Sequence, residues 1–290
     1  MHILECQAKN GKKLTAIFSP EGGMNLMSYS YGGIEVIDQR TRPLFEKRMA
    51  GLGALIGPHF HHRNEDEIPP VDISPLFPFV EELKLKDQKE FLSHGIARYV
   101  PWKYIGDRTS IKATLSGDDP YKGVLLKDIE GKSFELTYQA DLTEDGLFIK
   151  YSMKSDKPSV IGLHYYYALP EEEAIVKAFV EPNFHHPDGW KPIPAFWLTD
   201  KQMLNFKVDK EAIIDYGFRP FNDAFETQIE LNTFSYKVQI NYQASSHENA
   251  WQLYHPQSAT YVCIEPVSAK NPREAKSLSS ELKIQIKILP

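Results

Sequence analysis

Apolar and polar residues alternate along much of this chain with a period of two, the spacing that places apolar side chains on one face of an extended strand. In "FELTYQADL", Phe134, Leu136, Tyr138 and Ala140 alternate with Glu135, Thr137, Gln139 and Asp141. After the turn residues Glu144-Asp145-Gly146 the rhythm resumes with Leu147, Ile149, Tyr151 and Met153, so the two runs predict a hairpin. Phe234, Tyr236, Val238, Ile240 and Tyr242 make a third run, and Leu282, Ile284, Ile286 and Ile288 a fourth; each predicts a long antiparallel strand. No stretch keeps a helical period for three turns, and only Glu171 to Phe179 suggests a short helix. The pattern predicts an all-β protein, a large antiparallel β-sandwich whose apolar faces pack together. Loops such as "EPNFHHPDGWKPIP" then project from the sheet ends and can rim a concave site.

Composition narrows the picture. A chain of 290 residues can fold as two ordinary domains or one large sandwich, and without a linker or a repeat of fixed period the expectation is one domain over residues 1–290. A formal charge of −6 leaves no basic footprint for nucleic acid. The two cysteines, Cys6 and Cys263, lack the spacing of a disulfide framework or a zinc ribbon, which points to a reducing cytoplasm. The N-terminal stretch lacks a secretory pattern, and no apolar run is long enough for a membrane-spanning helix. The aromatic content of 12% supplies surfaces on which sugar rings or other flat apolar faces can stack.

Several common catalytic motifs are absent, GxSxG, GxxxxGK[ST] and HExxH among them. "GLGALIG" has the wrong spacing for a dinucleotide loop, and Pro58 follows it. In "GPHFHHRN", His59 and His61 fall on one side of an extended segment, followed by His62 and Arg63. That cluster suits the rim of a polar cleft, with Arg63 as a donor, a metal site that still lacks ligands, or an ordinary exposed loop. "FLSHGIARYVPW" sets His94 before a glycine, which frees the backbone to turn. His164 in "IGLHYYYALP" sits among apolar and aromatic neighbours, where burial favours a neutral imidazole; a core histidine bonded to backbone is the alternative. Glu265 in "TYVCIEPVSAKNP" ends an apolar run before a proline, so its carboxylate is expected at a sheet edge as a general base or a loop cap.

In order along the chain, "HGIARYVPW", "LHYYYALP", "WQLYHP" and "YVCIEP" resemble the aldose 1-epimerases, or galactose mutarotases, and their hexose-6-phosphate mutarotase relatives. The likeness runs from about Gly51 to the C-terminus. It implies the supersandwich fold of that family, with Glu265 as general base, His164 as general acid and His94 orienting the sugar. Arg63 matches a substrate-binding arginine of the free-sugar branch. Arg98, in His-Gly-x-Ala-Arg, looks more like the phosphosugar branch, where a basic residue can meet the phosphate. Trp102 reads as packing.

The chain departs from both branches. Ile96 stands where the phosphosugar motif often has phenylalanine, the upstream Arg-Gly-Gly-x-Pro segment is replaced by "GLGAL", and His62-Arg63 stands where the free-sugar branch has Asn-Arg. Asp223 in "FNDAFE" is a candidate for a further acidic sugar ligand, or a turn aspartate.

In the implied reaction Glu265 takes the anomeric hydroxyl proton while His164 protonates the ring oxygen, and the opened sugar recloses on its other face. That reaction needs an ionised base, a protonated acid, a small-molecule sugar or sugar phosphate, and no cofactor or metal. The rival readings are a carbohydrate-binding sandwich without turnover, marked by a Glu265 carboxylate turned away from His164, and a metal-assisted isomerase or lyase built on His59, His61 and His62.

Overall fold

Two antiparallel sheets pack face to face and share one long strand, Glu173–His186, whose first half pairs in one sheet and whose second half pairs in the other. The computed structural model describes residues 1–86, 88–171, 173–199 and 202–289. In the first sheet the order is His2–Gln7, Lys13–Ser19, Asn25–Tyr31, Gly53–Ile56, Gly162–Ala168, Tyr261–Val267, Ala250–His255 and Ile214–Pro220, ending on the shared strand. The second runs Lys103–Gly106, Ser110–Ser116, Phe134–Thr143, Gly146–Ser155, Ser279–Leu289, Lys237–Ala244 and Glu226–Asn232, then the shared strand and Met203–Asp209.

Period-two patterning explains this packing. Leu136, Tyr138 and Ala140 from the second sheet and Leu163, Tyr165 and Tyr167 from the first all enter one continuous apolar core. Tyrosines supply much of its bulk, and their hydroxyls find partners across the sandwich. Tyr138 and Tyr165 share a hydrogen bond of 3.0 Å, Tyr29 donates to the Ile286 carbonyl at 2.9 Å, and Tyr151 donates to the Ile56 carbonyl at 3.1 Å. A buried phenol without such a partner would cost about 1–3 kcal/mol.

The expected hairpin forms in continuous register from Phe134 opposite Ser155 to Thr143 opposite Gly146, with Gly146 at φ +119° closing the turn. The fourth run becomes the strand Ser279–Leu289. The third begins only at Lys237, because Thr233 and Tyr236 close a turn on each other and leave Phe234 95% exposed.

Where a helix is expected over Glu171 to Phe179, the residues from Glu173 on form a strand instead. Ala174, Val176, Ala178 and Val180 alternate inward, and pairing on both sides outweighs the helix preference of its Ala and Lys residues. Glu172, within the acidic run, lies outside the described residues. Nor is "EPNFHHPDGWKPIP" an open loop: its first half extends the shared strand, which turns back as a hairpin with Gly189–Pro192. Among the described residues three short α-helices, Arg42–Arg48, Phe79–Lys84 and Leu126–Glu130, occupy connections that carry no helical periodicity. None is long and apolar enough to cross a membrane.

Candidate active site

Three neighbouring strands of the first sheet make the floor of a cavity of about 300 Å³. Leu163 and Tyr165, Val262 and Ile264, Trp251 and Leu253 face the core, so the alternate residues point outward: His164 and Tyr166, Cys263 and Glu265, Gln252 and Tyr254. An outward face is normally wet. Here connections roof it, and His164, Glu265 and Gln252 are all buried. Gly217 gives Gln252 its place, since a Cβ there would stand 2.7 Å from the Gln252 amide oxygen.

The His-Gly segment forms one wall. His94 adopts a left-handed backbone at φ +68°, followed by Gly95 at φ +80°. A Cβ on Gly95 would lie 2.2 Å from the Gly57 carbonyl oxygen, so only glycine fits. The turn is held by His94 N–H to the His61 carbonyl (2.9 Å), Gly57 N–H to the His94 carbonyl (2.9 Å) and Ala97 N–H to the Gly57 carbonyl (3.0 Å). This pinning sets the His94 ring edge-on to His164, with ring centres 4.8 Å apart. Nδ1 of His94 accepts from His61 N–H at 3.3 Å, so the neutral ring carries its proton on Nε2 as a donor. Trp102 packs, as expected, with its indole N–H on the Ala97 carbonyl at 2.8 Å.

Arg98 follows on the next turn and lines the same cavity. It is almost completely buried, yet its Nε and Nη2 have no hydrogen-bond partner. A guanidinium is charged at any physiological pH, so an uncompensated one in a buried site favours a negative or strongly polar ligand group. Arg48 and Arg273 line the cavity as well.

His164 Nε2 lies 3.3 Å from Glu265 Oε1, and the imidazole stacks on Tyr166 at 4.9 Å. Glu265 sits within its strand, not at the sheet edge. Burial, reinforced by the Asp215 carboxylate and opposed by Arg98, pushes its pKa up to about 8. Burial and then the Arg98 charge hold the His164 imidazole well below the usual range. His94 is held down by burial, then by His164 and Arg98. The expected ionised base and protonated acid are therefore inverted in the free site, where the one proton the pair holds near neutrality rests on Glu265.

Two of the expected sugar ligands are not brought to this cavity. Arg63 is drawn into a buried network, its Nε 2.6 Å from Glu90 Oε2 and its Nη1 donating to the Ile129 and Glu130 carbonyls at 3.2 and 3.0 Å. With Nη2 also donating to Glu90 Oε1 at 3.2 Å, four acceptor oxygens occupy the guanidinium, which is spent inside the protein rather than offered at the cavity rim. Asp223 lies apart, paired with Lys270 at 2.7 Å and accepting a hydrogen bond from no cavity residue.

The histidine cluster divides too. His59 spends both ring nitrogens inside the protein, on Glu130 Oε2 at 2.9 Å and the Leu92 carbonyl at 2.8 Å, whereas His61 and His62 stack at 4.4 Å and line the cavity. A left-handed turn at His61 (φ +56°) breaks the extended geometry that would have aligned His59 with it. Among the described residues the set able to hold a metal is a different one, His164, Cys263 and Glu265, whose nitrogen, sulfur and oxygen donors all lie within 4.8 Å of one another.

Gln252, Tyr254, Tyr166, Arg48 and Arg273 are cavity residues that motif reading passed over. Gln252 and Tyr254 were recoverable, because alternation in "WQLYHP" puts them opposite Trp251 and Leu253. Arg48 and Arg273 lie in connections without periodicity, and no such signal marks them.

No protein-family model matches the chain, and comparison with curated protein sequences finds no match. Solved structures do match in shape. The Slr1438 protein from Synechocystis superposes with a TM-score of 0.66 at 16% identity, covering 99% of this chain and 96% of that one. A galactose mutarotase-like protein from Lactobacillus casei gives 0.66 at 13% identity, with 98% and 99% coverage. An aldose epimerase homologue from C. elegans gives 0.63 at 13% identity, with 100% and 99% coverage. The chain has the galactose mutarotase-like fold. At such identities the likeness speaks for the architecture, and the cavity chemistry has to argue for activity by itself.

Proposed function

We propose that the cavity binds an aldose carrying an anionic group, such as a hexose 6-phosphate, and interconverts its anomers by acid–base ring opening and closure. The observation that carries this reading is the His164–Glu265 pair, 3.3 Å apart, at the floor of a cavity that also presents a buried Arg98 whose Nε and Nη2 have no hydrogen-bond partner.

Glu265 accepts the proton of the anomeric hydroxyl and His164 donates one to the ring oxygen, so neither a free alkoxide nor a protonated ether has to form. The reacting form has its proton on His164, and it differs from the resting form only by proton transfer within the pair. No proton is taken up or released. Attraction to Arg98 favours the ionised Glu265, and a sugar anion held by Arg98 offsets the charge that keeps the proton off His164. His94 offers its Nε2 proton to a sugar oxygen, and Tyr166 or Phe60 can cover an apolar face of the ring.

The approach of Glu265 to His164 favours turnover over binding alone, because a binding-only site has no use for a carboxyl group turned toward the imidazole. Polarimetry or proton NMR of freshly dissolved anomers, run on a panel of aldoses and their 6-phosphates, tests the proposal. Accelerated interconversion with preference for the phosphorylated sugar supports it. Binding without acceleration refutes the catalytic part, and equal rates with neutral aldoses refute the anionic preference.

A further inference from the structure

The outer face of the second sheet carries a larger hollow, about 870 Å³, on the far side of the core from the candidate active site. Its lining is ordered by strand register. Asp141, Phe148, Gln285, Asn241 and Gln228 stand directly opposite one another on five successive strands, forming one straight row. Phe179, on the shared strand, closes the end beyond Gln228. Four strand spacings separate the strands of Phe148 and Phe179, roughly 19 Å at about 4.8 Å each.

We propose that this trough binds a neutral oligosaccharide laid across the strands, with Phe148 and Phe179 as stacking platforms and the Gln285–Asn241–Gln228 row reading its hydroxyls. The rings are 38% and 48% exposed, where ordinary sheet surfaces carry polar residues. Between them the amides are tied into a chain. Asn241 Nδ2 donates to Gln285 Oε1 at 3.3 Å, Gln239 Nε2 donates to Gln228 Oε1 at 2.8 Å and Asn241 Oδ1 at 3.1 Å, and Gln285 Nε2 donates to the Asp145 carbonyl at 3.2 Å. These bonds fix the planes of the amides and still leave lone pairs and a second N–H on Asn241 and Gln285 free for a ligand. A sugar hydroxyl both donates and accepts, and a pyranose also has an apolar C–H face, so a glycan satisfies amides and rings together.

Other occupants fit less well. A lipid or apolar peptide would strip water from the amides without replacing their hydrogen bonds. Charge nearly cancels around the trough, where Asp141, Glu226 and Glu281 oppose Lys150 and Lys283, the lysines lying 3.0 and 3.7 Å from Glu281. That balance matches an uncharged chain better than a polyanion. A second copy of this chain would have to pack one concave face against another, which leaves the centre unfilled.

The inference stands independently of the anomer-interconversion reading. Isothermal titration with maltohexaose, cellohexaose, xylohexaose and mannohexaose tests it on the full chain. At least one hexasaccharide is expected to bind the native protein and the Glu265→Gln variant alike, with affinity falling tenfold or more in the Phe148→Ala/Phe179→Ala double variant. The double variant keeps the native rate of anomer interconversion, since neither ring belongs to the other cavity. Titration of the native protein followed by side-chain amide NMR gives a second readout, in which the Asn241 and Gln285 signals shift. No binding by any of the four, affinity unchanged in the double variant, binding lost in Glu265→Gln, or unmoved amide signals would each overturn the proposal.

Discussion

His164 and Glu265 face each other across adjacent antiparallel strands, Nε2 to Oε1 at 3.3 Å, both turned away from the sandwich core and both cut off from bulk water. Burial raises the carboxyl to about 8 and depresses the imidazole, so across neutral pH the pair holds a single proton. Above about pH 8 that proton leaves and no acid remains. Only well below the usual histidine range does a second proton bind and remove the base. The expected kcat/KM profile is therefore flat through neutrality and falls about tenfold per pH unit on the alkaline side. Polarimetric rates corrected for buffer catalysis, taken from about pH 5 to about pH 10, check it. A rise through pH 8 would contradict the shared proton.

Replacing Glu265 with glutamine keeps the shape and the neutral charge of the resting carboxyl group while removing the base. Turnover should fall about 10²–10⁴-fold, the usual scale for a positioned proton-transfer group, with sugar affinity within a few-fold of native. Because the resting side chain is already neutral, the melting temperature should change little. Direct binding measurements beside the rates separate lost chemistry from lost binding.

Alternation made the fold legible where one strand face is wet, as in Phe134–Thr143 and Ser279–Leu289. It failed to separate the faces of Gly162–Ala168, because connections bury the outward His164 and Tyr166 as thoroughly as the inward Tyr165. The site residues His94, Arg98, His164 and Glu265 were visible through their motifs, and the structure brings all four to one cavity. Arg63 was misplaced for a physical reason: its partners Glu90 and Glu130 lie 27 and 67 residues away, and nothing local announces a buried ion pair. The neutral His164 was legible from its apolar and aromatic neighbours, whereas the raised Glu265 carboxyl was hidden, since it depends on burial that only the assembled walls create.

Arg98 is the residue on which anionic preference rests. Arg98→Met should raise KM for a hexose 6-phosphate by tenfold or more and change KM for the free sugar much less. Removing a buried guanidinium with two unsatisfied nitrogens should leave the fold as stable as before, or more stable by about 1–3 kcal/mol. Lysine should restore little, because its single ammonium cannot reproduce the fork of donors. Kinetics with the two sugars and a urea melt separate these effects.

The acid–base reading also predicts that prolonged treatment with EDTA leaves the rate unchanged. Loss of activity on chelation, with recovery on adding zinc, would instead move the chemistry to a metal held by His164, Cys263 and Glu265, the donor set that the floor brings together.

Arg63 makes a contrasting case, a charge whose partners are internal. Burial alone would raise the Glu90 carboxyl, but the hydrogen bond and charge of Arg63 outweigh it and hold the group below its usual 4.5. Glu130 is likewise held down against burial, by His59 and then Arg63. Carboxyls depressed in the folded state contribute stability above their unfolded value that is lost as pH falls through the folded one. The native protein should therefore lose stability as pH drops below about 4.5. Arg63→Met strands the buried Glu90 carboxylate, removes one of the cations near Glu130, and should cost on the order of 3–5 kcal/mol near neutral pH, read from urea unfolding. In that variant the carboxyls gain stability on protonation, so the loss should shrink as the solution is acidified. A native-like urea midpoint together with a raised sugar KM would return Arg63 to the substrate site.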